Sequence, residues 1–436
     1  MAKPKKKYSD LTRIEQNLIK KKLGITTIQD IDVAILKQLK ERLKLIKDLR
    51  YKNKITFKLW DVIICTILAS FSNCDTWEEI HDFVVNNYEW LRNFLQMTGG
   101  IPTAESYERI ISLVDKDELN NILFDFFDSI TFAKSPKYEV YNFDGRVNNG
   151  SKSNKTLFSD AKSPLNCLNV YSNKYQYCLY TNPIDEKTNE IPEIEKLVKG
   201  LNLKGIIVTW DALNTQIKNV ETVVNAGGDY IIPVKANQGN FYQDLVDYFN
   251  QEQCDKIIAG NSKSAYMEYM EKSHSSIIKY QLFETSDVKW YEKLSDWKNL
   301  KSFGLVRKTI TKKIQVKNPR KNAKNRLIYK EVTTVENRYY ISSKYVNIKE
   351  FNDVTRGHWN IENKIHWHLD FTFSQDKNTT KNKKALLNLE IIHKFVLACF
   401  ERVKPRYNKS IKRIRKIFSY NFENSITELI AYLLVS

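Results

Sequence analysis

The sequence predicts an α/β protein, with a helical domain before the core, a β-rich insertion inside it and a helical tail after it. Three observations predict this. Apolar residues recur at helical spacing up to about residue 132. At Pro136 the period changes from 3.6 to 2, the signature of strands. Beyond that point strand-like and helix-like runs alternate, as they do when helices cover a sheet. The expected divisions are a basic helical lead-in over 1–56, a helical domain over 57–135 and the first part of the core over 136–262. A β-rich basic insertion follows over 263–345, then the rest of the core over 346–376 and a helical tail over 377–436.

In the lead-in, Ile35, Leu36, Leu39 and Leu43 fall on one helical face, with Lys and Arg on the other. A solvated face and a DNA-backbone contact both fit that charge. In the next domain Thr76 and Glu79 form a capping box that opens a helix, and Gly99-Gly100-Ile101-Pro102 stops the chain. Four or five short helices packed as a bundle are expected there. The core should open with a strand over 138–144, in which Val140, Asn142 and Asp144 share a face. Gly145 is expected to turn the chain sharply after it. Two strands follow, over 165–171 and 175–180, joined by a tight turn. A helix over 191–201, an apolar strand over 205–211, a helix over 214–226 and a strand over 229–234 complete the alternation. The unbroken apolar run Ile206-Ile207-Val208 suits a central strand covered on both faces. In the insertion, strands are expected over 276–284, 305–316, 327–334 and 338–342, with a very basic hairpin tip over 312–326. A further helix should begin after Asn347.

Composition bounds the function. At 436 residues the chain can bury a large core. Its 69 Lys and Arg against 51 Asp and Glu leave a charge of +18, which points to a polyanionic partner and to nucleic acid first. The longest apolar run, over 62–71, is far short of the ~20 residues a membrane helix needs, so no membrane role is expected. The basic N-terminus lacks the apolar stretch of a secretory signal. The six cysteines contain no Cys-x-x-Cys pair and read as reduced, packed thiols of a cytoplasmic protein.

The candidate chemistry lies in three carboxylates. Asp144 and Asp211 each end a strand-like run, and strand ends are where open α/β sheets place their sites. The third is Glu362, in a stretch whose Ile361, Ile365 and Leu369 form an apolar stripe. His358, Glu362 and His366 lie beside that stripe at i, i+4 spacing. Clustered carboxylates repel unless a cation sits between them, and hard oxygen donors select Mg²⁺, with Mn²⁺ substituting. Two such ions per site would serve phosphoryl transfer, with no small-molecule cofactor. A lone strand-end Asp is more often a cap or turn residue, so each carboxylate has weight only in company.

Several blocks carry a family resemblance. They are Asp75-Thr-Trp-Glu-Glu-Ile80, Trp90-Leu-Arg-Asn-Phe94, Gly100-Ile-Pro-Thr103 and Phe143-Asp144-Gly145-Arg146. Further on come Asp185-Glu-Lys-Thr-Asn-Glu-Ile-Pro192, Val208-Thr-Trp-Asp211-Ala212, Gly227-Gly-Asp-Tyr230, Val234-Lys-Ala-Asn-Gln238 and the stretch from His358 to Asp370. Over about 48–402 the chain resembles insertion-sequence transposases of the DDE superfamily, in the branch that includes the H-repeat-associated proteins. The resemblance implies an RNase H-like catalytic core with Asp144, Asp211 and Glu362 as the metal-binding triad. It implies binding of double-stranded DNA with terminal inverted repeats, binding of target DNA, strand cleavage and strand transfer. A homodimer on paired ends and a nucleoid-associated place in the cytoplasm follow from it. Arg146 stands where the family usually has Lys, and Gln375-Asp376 replaces a more typical Glu-Asp.

Candidate DNA contacts are Arg146, Lys235, Gln238, Arg356, Asn363 and His366. To these the insertion adds Lys312, Lys313, Lys317, Arg320, Lys321, Lys324 and Arg326. Two rival functions share the pattern: a DNA-binding descendant that no longer cuts, and an RNase H-like nuclease without strand transfer.

Overall fold

The computed structural model describes residues 11–23, 31–132, 136–152, 163–185, 190–273, 276–317 and 327–436. The chain divides into two compact units. One comprises residues 1–137, 145–188 and 360–436; the other comprises 138–144 and 189–359.

The first unit is mostly helical. Its first helices are α1 (Arg13–Leu23) and α2 (Ile31–Leu43), followed by α3 (Leu59–Phe71), α4 (Trp77–Asn86), α5 (Tyr88–Leu91), α6 (Ala104–Ile111) and α7 (Lys116–Ile130). The capping box at α4 forms as its sequence requires: Thr76 accepts from the Glu79 N–H, and the Glu79 side chain accepts from the Thr76 N–H. Strand β1 (Glu139–Asn148) starts in the other unit and ends in this one, which also holds the antiparallel hairpin of β2 (Leu165–Ser172) and β3 (Tyr177–Pro183).

In the second unit the chain alternates. Here α8 (Glu190–Lys199), β4 (Ile206–Thr209), α9 (Ile217–Asn225), β5 (Asp229–Val234), α10 (Asn240–Tyr248) and α11 (Gln251–Ala259) follow in order. The β-rich part is β6 (Ser264–Ser273), β7 (Ser276–Thr285), β8 (Ser302–Lys317) and β9 (Leu327–Ser342), and α12 (Ile348–Ile361) follows. Back in the first unit lie α13 (Lys383–Tyr407), α14 (Ile411–Tyr420) and α15 (Phe422–Leu433). Helix α13 is the axis of that unit: Leu386, Leu389, Ile392, Phe395, Val396 and Phe400 along it are buried, against α3, α7, α15 and β3. Asn388, Glu390, His393 and Lys394 are buried along with them, so this helix is covered on its polar positions too.

The second unit is built on a mixed sheet in the order β1-β4-β5-β9-β8-β7-β6. Strands β1, β4 and β5 are parallel, and β9 to β6 continue antiparallel. Val140, Ile207 and Ile231 from the parallel strands share a core with Tyr340, Leu282 and Val306, which Phe351 and Val354 of α12 cover. Gly304 makes this fit possible, because a Cβ there would stand 2.4 Å from the Phe351 ring. So α12 is seated on the sheet by its own apolar stripe.

Three expectations give way. Strand β1 does not stop at Asp144; it runs through Gly145 to Asn148, and Gly145 is not among the positive-φ glycines. Two separate strands expected over 327–334 and 338–342 are one, because the polar Glu336-Asn337 break lies on the exposed part of a ladder pairing Lys317 with Leu327 and Ser302 with Ser342. Strand β6 was not expected at all. It lies inside the expected β-rich insertion, and pairing with β7 makes it a strand.

Candidate active site

The parallel ladder of β1 and β4 pairs Glu139 with Ile206 and Asn142 with Thr209. Two residues further on each chain are Asp144 and Asp211, so the register leaves these carboxylates level beyond the last pair. Asp211 follows β4 directly and opens a short 3-10 turn over Ala212–Asn214. Its neighbour Trp210 is fully buried with its ring edge-on to Phe143, which ties the end of β4 to the middle of β1.

One ammonium meets Asp211 directly. Lys235, the first residue past β5, places its Nζ 2.9 Å from Asp211 Oδ1. The β5·β9 register pairs Val234 with Tyr339, so Arg338 stands level with Lys235. Burial raises the Asp211 carboxyl, but the Lys235 hydrogen bond, the Ala212 N–H and the Lys235 charge outweigh it. The net effect holds it below the ordinary carboxylate value. His358, from α12, is pushed down to about 4, chiefly by burial; Asp211 opposes this, and Lys235 and Arg338 add to it. It is therefore neutral at pH 7, and its Nδ1 has no hydrogen-bond partner among the described residues.

Glu362 belongs to the first unit and is exposed. It opens a π-helical turn, Glu362–His366, and a second, His368–Thr372, follows. The wider π spacing changes the 3.6-residue register in which His358, Glu362 and His366 formed one line. Downstream, Asp370 meets Arg146. Arg146 Nη2 lies 2.5 Å from Asp370 Oδ1, and Nη1 lies 3.1 Å from Glu390 Oε2. Lys394 Nζ holds the other Glu390 oxygen at 2.7 Å and reaches Asn169 Oδ1 at 2.5 Å. The carboxyl of Glu390 would be raised by burial, yet Lys394 and Arg146 hold it low. His366 is half-buried.

The remaining candidate DNA contacts are dispersed. Gln238 Nε2 donates to the Thr215 carbonyl. Arg356 Nη1 donates to Glu271 Oε1 at 2.5 Å and to the Tyr269 hydroxyl at 3.0 Å, with its guanidinium over the Tyr269 and Tyr280 rings. Lys312 and Lys313 are exposed on β8, and Lys313 lies 3.7 Å from Glu331. Lys317 ends β8. Arg320, Lys321, Lys324 and Arg326 lie outside the described residues, as does the side chain of Asn363. Among the described residues no three His, Cys, Asp or Glu side chains come together as a metal-holding group. What does fit a divalent cation is the pair of level carboxylates, hard oxygen donors of which one already draws an ammonium.

Sequence reasoning passed over Arg338 and gave His358 no role beside Asp211. Nothing in the string marks either one, because their nearness to Asp211 comes from sheet register and from the seating of α12.

A family model described as "Transposase DDE domain" matches residues 143–397, more than half of the chain. A second, described as "DDE_Tnp_1-associated", matches residues 40–127. YncI of Escherichia coli O157:H7, which carries a provisional transposase name, is 26% identical over 88% of this chain and 93% of its own length. YhhI of Escherichia coli strain K12, named provisionally as an H repeat-associated transposase, is 28% identical over 78% of this chain and 84% of its own. Among solved structures, the piggyBac transposase in a synaptic complex with hairpin DNA aligns with 96% of this chain and 83% of its own at 11% identity, with a TM-score of 0.35.

Proposed function

The chain belongs to the family of transposases built on the DDE domain, and from that premise we propose that it cuts and joins DNA at the ends of an insertion sequence. It binds double-stranded DNA bearing terminal inverted repeats, hydrolyses a strand at each end and transfers the freed 3′-hydroxyl to target DNA. Asp144, Asp211 and Glu362 serve as its three carboxylate ligands. The observation that supports this most is the level placement of Asp144 and Asp211 beyond the β1·β4 ladder, the arrangement a shared cation requires. Family resemblance adds Glu362.

Each residue then has a task. Asp144 and Asp211 supply hard oxygen donors from a rigid sheet. Lys235 offsets the Asp211 charge, and its exposed ammonium beside the end of β5 would meet a DNA phosphate. His358, neutral at pH 7, adds no positive charge that would compete for Asp211. When bound, a pair of Mg²⁺ ions, or Mn²⁺ in their place, supplies activation of the attacking oxygen and stabilisation of the leaving one. The exposed lysines of β8 contribute sequence-independent phosphate contacts. The working form is a dimer bridging two ends, on nucleoid DNA in the cytoplasm.

The test is a nicking assay on duplexes carrying the short inverted repeats that flank the gene. The parent should nick them with Mg²⁺, and Asp144→Asn, Asp211→Asn and Glu362→Gln should each bind the ends and fail to cut. A variant that cuts normally removes its residue from the site. If the parent binds the ends but never cuts, the non-cutting descendant is the better reading. Cutting without any joined product favours the nuclease.

A further inference from the structure

We propose that the outward face of α14, in the first unit, is a docking surface for the phosphate backbone of duplex DNA. The partner rests on the transposase reading above; the surface does not, since α14 lies beyond the stretch 143–397 on which the family assignment stands. At 3.6 residues per turn, Lys412, Arg413, Lys416 and Tyr420 fall within about 100° of one another around the helix. All four are exposed, Tyr420 at 75%. The opposite side, made of Ile411, Ile414, Arg415 and Phe418, is buried.

Charge decides what this face would take. Helix α14 contains no Asp or Glu. Cations just ahead of it are matched: Lys404 lies 3.3 Å from Glu401, and Arg406 pairs with Glu15. Within α14, Arg415 is matched by Asp75 at 2.5 Å. Among the described residues, Lys412, Arg413 and Lys416 have no ion pair. Like charges one turn apart repel, and an anion extended along the row relieves that repulsion. Lys412 and Lys416 stand about 6 Å apart along the axis, and Tyr420 about 6 Å further on. A DNA strand carries a phosphate about every 3.4 Å of its axis, so the row spans three or four of them. The Tyr420 hydroxyl adds a neutral donor at its end.

The face is also held in place. From the buried side Arg415 donates to the Ser70 carbonyl at 2.9 Å and to the Thr372 carbonyl, with its guanidinium 4.0 Å from the Phe373 ring centre. Ser410 caps the helix by accepting from the Arg413 N–H. A helix fixed in this way loses little but side-chain freedom on binding. The same burial excludes a lipid surface, because a helix lying in a membrane needs its apolar side free to enter it. Ile411, Ile414 and Phe418 are already inside the protein.

The experiment uses the full-length protein and a duplex of about 30 base pairs lacking the inverted repeats. Affinity is measured by fluorescence anisotropy from about 0.05 to 0.3 M salt. Lys412→Ser, Arg413→Ser and Lys416→Ser together should reduce the slope of log affinity against log salt by about 2–3, with an unchanged melting temperature. A charge-matched control replaces Lys263, Lys289 and Lys293, exposed on the second unit, by Ser and should move the slope by less than about 1. On the unaltered protein, the duplex should protect Lys412 and Lys416 from acetylation, read by mass spectrometry, and leave the three control lysines reactive. An equal change of slope in both triple variants overturns the proposal, since the effect is then one of net charge alone. Unprotected Lys412 and Lys416 in protein that has bound the duplex overturn it as well, and the transposase reading then survives. A parent protein that binds no duplex at all sinks both.

Discussion

Arg146→Met separates two roles for one residue. The sequence places Arg146 among the candidate DNA contacts, yet its side chain is only 4% exposed, between Asp370 at 29% and Glu390 at 1%. Removing the guanidinium leaves Glu390 with Lys394 as its counter-charge, at 2.7 Å. Asp370 loses its partner but regains water through its exposed side. Breaking a buried pair from one end costs roughly 3–5 kcal/mol, and these two compensations set the cost near the lower bound, about 3. At ~2–4 °C per kcal/mol for a unit of this size, melting should fall by roughly 6–12 °C. Arg146→Lys keeps the charge but cannot span both carboxylates, and should cost about 1 kcal/mol. Pairing Arg146→Met with Asp370→Leu should recover part of the loss, because the orphaned carboxylate goes too. The assay is thermal melting by circular dichroism, with DNA affinity measured on the same samples. Melting within about 2 °C of the parent, together with a clear loss of DNA affinity, would refute the buried role.

Glu284, buried beneath the Asn347 N–H and the Ser302 hydroxyl, is raised to about 7, burial being the main cause. The folded state thus binds this proton more tightly than the unfolded chain. Its contribution favours folding below the ordinary carboxylate value and is lost as pH rises towards 7. Glu284→Gln should therefore melt with the parent near pH ~5 and above it near pH ~8; a gap that does not change with pH contradicts this. Replacing Lys312 and Lys313 by Ser should reduce the slope of log DNA affinity against log salt by about 1–2, and an unchanged slope leaves them as solvated residues. Gly304→Ala should cost about 1–3 kcal/mol in urea unfolding, since its Cβ would press on the Phe351 ring; Gly304→Ala with Phe351→Leu should recover part of that. A Gly304→Ala protein as stable as the parent would mean that α12 is not seated by this contact.

The alternation of apolar runs with helical stretches was legible because both faces of β4 and β5 are buried, which writes Ile206-Ile207-Val208 and Ile231-Ile232 into the chain as unbroken apolar text. Asp211 was legible for the same reason, as the first charge after such a run, whereas Asp144 was legible from the period-2 pattern over 138–144. Sequence could not show how far β1 extends, because Arg146 looks like a surface cation until Asp370 and Glu390, more than two hundred residues away, meet it. The π-helical turns were hidden as well, since local composition over 358–372 is that of an ordinary amphipathic helix. The place of Arg338 level with Lys235 is a product of sheet register and leaves no periodic trace.

Iron-directed cleavage tests the shared-ion claim most directly. Fe²⁺ is substituted for Mg²⁺ in the protein bound to end DNA, ascorbate and peroxide are added, and the backbone cuts are mapped by mass spectrometry. The account predicts cuts clustered beside Asp144, Asp211 and Glu362 together, all suppressed by excess Mg²⁺ and by Asp211→Asn. Cuts beside Asp144 and Asp211 with none near Glu362 would contradict it and leave the third carboxylate without a metal to hold.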